Sequence, residues 1–187
     1  MFKFLLTLFL TTLVSLPQPV TSLPTTKSTL VPVTVLKVLD GDTLRVLYNN
    51  QKVYIRLACL DSPEIAHNTK QALDINSIRI QQYSYGNLAK FYLEQLTPIS
   101  STIYLNIYNT DKYGRLVAEV YSDSSLTQSV QEDLISQGLA QLYPPYYKTC
   151  SNYDTLVQLE QQAKQHSLGI WSEPSFLPAW NFRKLYK

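Results

Sequence analysis

Lys52-Val53-Tyr54-Ile55-Arg56-Leu57 alternates residue by residue: Val53, Ile55 and Leu57 share one face, and Lys52, Tyr54 and Arg56 the other. Neighbouring side chains of a strand point to opposite sides, so this stretch predicts a strand with one face in a core and one toward water. Thr102 to Tyr108 repeats the pattern with Ile103, Leu105 and Ile107 facing in, and Thr34 to Leu39, Thr43 to Leu47 and Leu116 to Tyr121 add further strands. Tyr48-Asn49-Asn50-Gln51 reads as a turn, because Asn tolerates positive φ. Leu88, Phe91, Tyr92, Leu93 and Leu96 suit the apolar side of a helix that stops before Pro98. Ser129-Val130-Gln131-Glu132 is a capping box, and the helix it opens carries Val130, Leu134 and Ile135 before a stop at Gly138. Asp154 to Leu168, with Leu156, Leu159 and Ala163, predicts a last helix, after which Ile170-Trp171 seals one end of the core. Ile65 to Tyr83 reads as a polar, irregular connection, mobile or partly helical. Short strands with clean alternation favour a small closed or nearly closed barrel over a parallel α/β sheet.

A chain of 187 residues with 45% hydrophobic and 16% charged content is long enough for one cored domain and is not of disordered composition. The net charge of +2 neither diagnoses nor excludes a nucleic-acid partner, so phosphate affinity must come from local placement of Arg and Lys. Met1-Phe2-Lys3 is a short positive start, Phe4 to Leu16 an apolar run, and Val20-Thr21-Ser22 a small-residue stretch suited to cleavage before Leu23. Residues 1–22 therefore read as a signal peptide, 23–32 as a flexible leader and 33–187 as the domain, giving a secreted or periplasmic protein. The alternative is an uncleaved membrane anchor, although the apolar run is short for a span of about 20 residues. Export would allow Cys59 and Cys150 to form a disulfide; the other reading is a buried thiol and an unrelated loop thiol. His67 and His166 stand alone, so zinc is not expected.

Three stretches carry chemistry: Asp40-Gly41-Asp42-Thr43, the run from Arg56 through Asp61-Ser62-Pro63-Glu64, and Asp111-Lys112-Tyr113-Gly114-Arg115. Asp42 and Asp61, with the backbone carbonyl of Ser62, form an all-oxygen set suited to Ca²⁺ or Mg²⁺. Glu64 follows a proline that stiffens its approach, and it can take a proton from an attacking water or only orient that water. Arg56 and Arg115 supply guanidinium forks that match two phosphate oxygens at once. Lys112 and Tyr113 could flank a phosphate and a sugar or base, or be ordinary turn residues. Alone, an Asp-Gly-Asp turn is more often simply solvated. Together these groups are the parts for hydrolysing a phosphodiester with a hard metal ion.

With Gln137-Gly138-Leu139-Ala140 and Gly169-Ile170-Trp171-Ser172-Glu173, these motifs make the chain resemble the thermonuclease family, the staphylococcal nuclease-like proteins, from about Val33 to Glu173. The resemblance implies an α+β fold, an OB-fold five-stranded β-barrel with three helices. It implies a monomeric, calcium-dependent endonuclease acting on DNA and RNA with low sequence specificity, leaving 3′-phosphate ends, with no stable protein partner. Carried over by residue, it makes Asp42, Asp61 and Ser62 metal ligands, Arg56, Glu64 and Arg115 catalytic, and Lys112 and Tyr113 substrate-binding. The connection after Glu64 is longer than the family pattern, and Tyr143, Tyr146 and Tyr147 match its aromatic loop only loosely, with Pro144-Pro145 interrupting. The rival is a noncatalytic OB-type module binding nucleic acid or protein, which would have no need of these five acidic and basic side chains.

Overall fold

The structure is a computed structural model that describes residues 30–146, 148 and 150–186. The expected signal segment 1–22 and leader residues 23–29 lie outside the described residues, as does Tyr147. The strands are β1 (Val31–Val38), β2 (Thr43–Tyr48), β3 (Gln51–Leu57), β4 (Leu60–Asp61), β5 (Thr102–Thr110), β6 (Leu116–Tyr121) and β7 (Gln141–Leu142). Five of them close a barrel in the order β1-β2-β3-β6-β5, while β4 and β7 form a separate two-stranded ladder. The pairs are antiparallel except β3 with β6, which run parallel with Ile55 opposite Leu116 and Arg56 opposite Val117. The alternation along β3 is observed: Ile55 and Leu57 are buried while Lys52 and Tyr54 face water. Asn49 and Asn50 both take positive φ in the turn that feeds it, 48° and 60°. The barrel begins two residues earlier than the domain start at Val33, because Val31 and Pro32 already pair with Leu105 and Tyr104 of β5.

The helices are α1 (Thr69–Ala72), α2 (Ser77–Leu96), α3 (Val130–Ser136), α4 (Tyr153–Gln165) and α5 (Ala179–Tyr186). The three expected helices correspond to α2, α3 and α4, and α1 and α5 are additional. The capping box forms: the Glu132 N–H donates to Ser129 Oγ at 3.2 Å, and the Ser129 N–H to Glu132 Oε2 at 3.1 Å. The connection after Glu64 is more helical than its polarity suggests. Asn76 caps α2 by accepting from the Ile78 and Arg79 N–H groups, and this 20-residue helix takes up the end of that stretch from Ser77. Its inward face is Gln82, Gly86, Ala89 and Leu93, whereas Leu88 and Phe91, expected inside, are exposed. A polar and a small residue occupy these inward positions because Gln82 and Gly86 lie against the Glu64 backbone.

Cys59 and Cys150 form a disulfide with Cα atoms 6.2 Å apart, which decides the question left open by the sequence. It ties the end of β3 to the segment that precedes α4. Among the described residues, no helix is long and apolar enough to cross a membrane.

Candidate active site

Asp42 sits in the tight turn from β1 to β2. Its own N–H donates to Asp40 Oδ1 at 3.0 Å, and its carbonyl accepts from the Leu57 N–H at 2.9 Å, which fastens the turn to the end of β3. Gly41 is required by close approach: a Cβ there would come within 2.7 Å of both Ser62 Oγ and Ala89 Cβ. The Asp42 carboxylate is nearly enclosed. Its Oδ1 accepts from Thr43 Oγ1 at 3.0 Å and its Oδ2 from the Ser62 N–H at 3.0 Å.

Asp61 arrives from the other direction. Beyond β3 the chain reverses at Cys59, in a positive-φ conformation, and the Cys59 carbonyl accepts from the Tyr143 N–H at 2.9 Å. Pairing of β4 with β7 then fixes Leu60 opposite Leu142 and Asp61 opposite Gln141. Arg56 joins the two acids. One arm of its guanidinium, Nη1, pairs with Asp42 Oδ1; the other, Nη2, reaches Asp61 Oδ1 at 2.6 Å and the Leu60 carbonyl at 3.3 Å. The Asp61 carboxylate is fully buried, so unpaired it would carry a heavy desolvation penalty.

The second oxygen of Asp61 is held by Arg183 of α5. Its Nη2 lies 2.7 Å from Asp61 Oδ2 and its Nη1 2.5 Å from Glu64 Oε1. The Glu64 backbone is pinned as well, its N–H donating to Gln82 Oε1 at 3.1 Å. Asp42, Arg56, Asp61, Ser62 and Glu64 thus fall in one connected cluster.

The remaining candidates form a neighbouring cluster. Asp111 Oδ1 accepts from the Tyr113 and Arg115 N–H groups at 2.9 and 3.0 Å, and Oδ2 accepts from Arg115 Nε at 2.8 Å. Lys112 Nζ and the Arg115 guanidinium carbon stand 5.1 and 5.4 Å from the Tyr113 ring centre. Arg115 immediately precedes Leu116, the partner of Ile55, so it lies just ahead of the strand beside the one that carries Arg56. Among the described residues no hydrogen bond or ion pair joins this cluster to the carboxylates.

The electrostatics leave the carboxylate cluster short of positive charge. Burial and then the charge of Asp42 push the Asp40 carboxyl from 3.8 up to about 7. Burial acts the same way on Asp42, but the Arg56 charge and the Ser62 N–H win and hold it below its ordinary value. Asp61 is raised, by burial first and then by Asp42, against the pull of Arg56 and Arg183. Burial works against both guanidinium groups, yet the carboxylates hold both above their ordinary value. Three carboxylates, Asp42, Asp61 and Glu64, adjoin two guanidinium groups, leaving a formal excess of one negative charge, to which Asp40 adds when it loses its proton. That excess and the all-oxygen donor set fit a hard divalent cation. Among the described residues no group of three or more His, Cys, Asp or Glu side chains is arranged as a metal cage. A cation would rest on Asp42 and Asp61, with Ser62 offering a carbonyl and water and substrate oxygens completing the shell.

Arg183, Gln82 and Gly86 carry no signal in the sequence that ties them to the site. Arg183 is 119 residues from Glu64, in a short helix after Pro178 that the sequence reading does not single out. Asp40 belongs to a motif that marks the site, but its burial becomes visible only in three dimensions.

The family model described as staphylococcal nuclease homologue matches residues 54–173. The matched stretch includes Arg56, Asp61, Glu64 and Arg115, while Asp42 precedes it and Arg183 follows it. The chain is similar to an endonuclease of Bacillus subtilis (strain 168), YncB, with 35% identity over 161 residues covering 84% of this chain and 70% of the relative. It is also similar to a micrococcal nuclease of Shigella flexneri, with 28% identity over 160 residues covering 82% and 80%. A match that runs from within β3 past the end of α4, with relatives aligned along most of both chains, shows that this protein belongs to the staphylococcal nuclease homologue family.

Proposed function

We propose that this protein is a calcium-dependent endonuclease that hydrolyses DNA and RNA with low sequence specificity and leaves 3′-phosphate ends. The observation that carries the proposal is the Arg56 fork bridging two buried carboxylates, with Glu64 three residues further along the same segment. The naming of the Shigella flexneri relative as a micrococcal nuclease, and of the Bacillus subtilis relative as an endonuclease, supports it.

Asp42 and Asp61, with the Ser62 carbonyl, hold the cation. Bound there, Ca²⁺ supplies positive charge to the phosphoryl oxygens. Glu64 accepts a proton from the attacking water, or aligns that water. Arg56 and Arg115 donate to the phosphoryl oxygens as negative charge builds in the transition state. For Arg115 this requires its fork to be shared between Asp111 and substrate, and for Arg56 it requires one arm to pass from Asp42 or Asp61 to the phosphate. Lys112 and Tyr113, on the same loop, flank the nucleotide. These contacts address phosphate and sugar, which carry no base information, and low sequence selectivity follows. We further propose that residues 1–22 are removed on export, giving a secreted or periplasmic protein; N-terminal sequencing should then find a mature start near Leu23.

Digestion of plasmid DNA and of RNA, with Ca²⁺ and with chelator, tests the proposal. Both substrates should be cut only with Ca²⁺, and Glu64→Gln should lower kcat by about 10²- to 10⁴-fold, the range for a lost general base. Cleavage that survives both chelator and Glu64→Gln would contradict it. Nucleic-acid binding without cleavage would favour a noncatalytic module. Release of phosphate from the product 3′ ends by a phosphatase checks the end chemistry.

A further inference from the structure

We infer that Arg183 is a positioning residue of the active site, holding Glu64 and Asp61 in the relation that hydrolysis needs, and that α5 is therefore part of the nuclease machinery. The inference rests on the nuclease reading above and adds a residue that lies beyond the stretch matched by the family model.

Asp61 and Glu64 are like charges three residues apart, and free side chains would swing away from each other. Arg183 answers with a planar fork that gives one arm to each: Nη1 to Glu64 and Nη2 to Asp61. A rigid guanidinium fixes both the separation and the relative orientation of its two partners, which an ammonium cannot do.

The helix carrying Arg183 is anchored to the same wall. Phe182 is buried, meets Tyr83 of α2 edge-on at 6.0 Å and stacks on Tyr186 at 5.0 Å. Gln82 links the two sides. Its Oε1 accepts from the Glu64 N–H, and its Nε2 donates to the Leu177 carbonyl just ahead of α5. On the other flank, Trp180 contacts the ring of Tyr143 at 5.8 Å, and the Tyr143 N–H is bonded to the Cys59 carbonyl. Glu64 is thus held by its backbone from α2 and by its side chain from α5.

The test is steady-state cleavage of a labelled oligonucleotide at saturating Ca²⁺ by wild type, Arg183→Gln, Arg183→Lys, Glu64→Gln and the double variant Arg183→Gln/Glu64→Gln, with a thermal melt of each. Arg183→Gln should lower kcat by about 10- to 100-fold and change KM by less than about 3-fold, the signature of an interaction that matters in the transition state. Arg183→Lys should recover part of the loss. Because part of the Arg183 effect runs through Glu64, adding Arg183→Gln to Glu64→Gln should cost clearly less than it does in wild type, the remainder reflecting Asp61. An equal loss in both backgrounds with raised KM would make Arg183 a phosphate ligand, and faster cleavage by Arg183→Gln would make it a plug; either overturns the inference. A loss explained wholly by a lowered melting temperature, or no loss at all, also overturns it. Wild type that cleaves no substrate would instead overturn the nuclease reading, and this inference with it.

Discussion

Gly86→Ala tests how tightly the site is clamped, because two effects of opposite sign compete there. Gly86 lies in the middle of α2, where replacing Gly by Ala ordinarily stabilises a helix by about 1 kcal/mol. Here an ideal Cβ would lie 2.5 Å from the Glu64 carbonyl carbon, closer still to its oxygen, and 2.9 Å from the Pro63 carbonyl oxygen. These are backbone atoms, and the Glu64 N–H is tied to Gln82 on the same helix, so they cannot turn aside as a side-chain tip would. Overpacking of this kind costs about 1–3 kcal/mol, which leaves a net loss of about 0–2 kcal/mol after the helix gain. The larger effect falls on activity. Ordinary contact requires Pro63-Glu64 to move by about 1 Å, and a misplacement of that size costs on the order of 10²-fold in rate. Urea denaturation and steady-state cleavage, run on the same preparation, separate the two. The expected result is a small change in midpoint with a large fall in kcat. A variant about 1 kcal/mol more stable than wild type and fully active would refute the close approach of α2 to Glu64.

The raised Asp40 carboxyl makes stability depend on pH. Between about pH 4 and 7 the folded, metal-free protein keeps a proton that the unfolded chain releases, so stability falls as pH rises through this window, by up to about 4 kcal/mol. Asp61, also raised, acts in the same direction. Urea midpoints in chelator should show the slope, Asp40→Asn should reduce it, and equal slopes in the two proteins would contradict the assignment. Reducing the Cys59–Cys150 bridge, which spans 91 residues, should cost about 2–5 kcal/mol. Denaturation with and without reductant measures this, and two reactive thiols in the denatured, unreduced protein would contradict the bridge. Arg115→Ala should lower kcat and leave stability within about 1 kcal/mol, because its pair with Asp111 is part-exposed. A large loss of stability would make that arginine structural instead.

The barrel was legible because strand alternation is a local signal: β3 announces itself, and Asn49-Asn50 marks the turn before it. The capping box at Ser129 was equally local, needing only Ser and Glu three residues apart. The start of α2 was hidden for a physical reason. A hydrophobic pattern reports a helix face only when that face meets apolar partners, and Gln82 and Gly86 instead meet the Glu64 backbone. Leu88 and Phe91 then misled, because exposed apolar residues cannot be told from core by spacing alone. In the candidate site, Asp42, Arg56, Asp61, Ser62 and Glu64 come together as their motifs suggest, since Arg56 through Glu64 is one continuous run and Asp42 is tied to the end of β3. Arg183 was not legible, because only the packing of α5 on α2 brings it there. The cysteine pairing likewise depends on a distance that no spacing rule supplies.

Asp61 is the hub of the proposed site: its buried carboxylate joins both guanidinium forks and, with Asp42, is assigned to the cation. Cleavage of plasmid DNA across a Ca²⁺ titration, comparing wild type with Asp61→Asn, measures that role. The predicted result is Ca²⁺-dependent cutting by wild type and a loss of at least about 10²-fold in Asp61→Asn that added Ca²⁺ does not restore, on the scale seen when a charge-stabilising group is removed. Cutting by Asp61→Asn at the wild-type rate, with the same dependence on Ca²⁺, would contradict it.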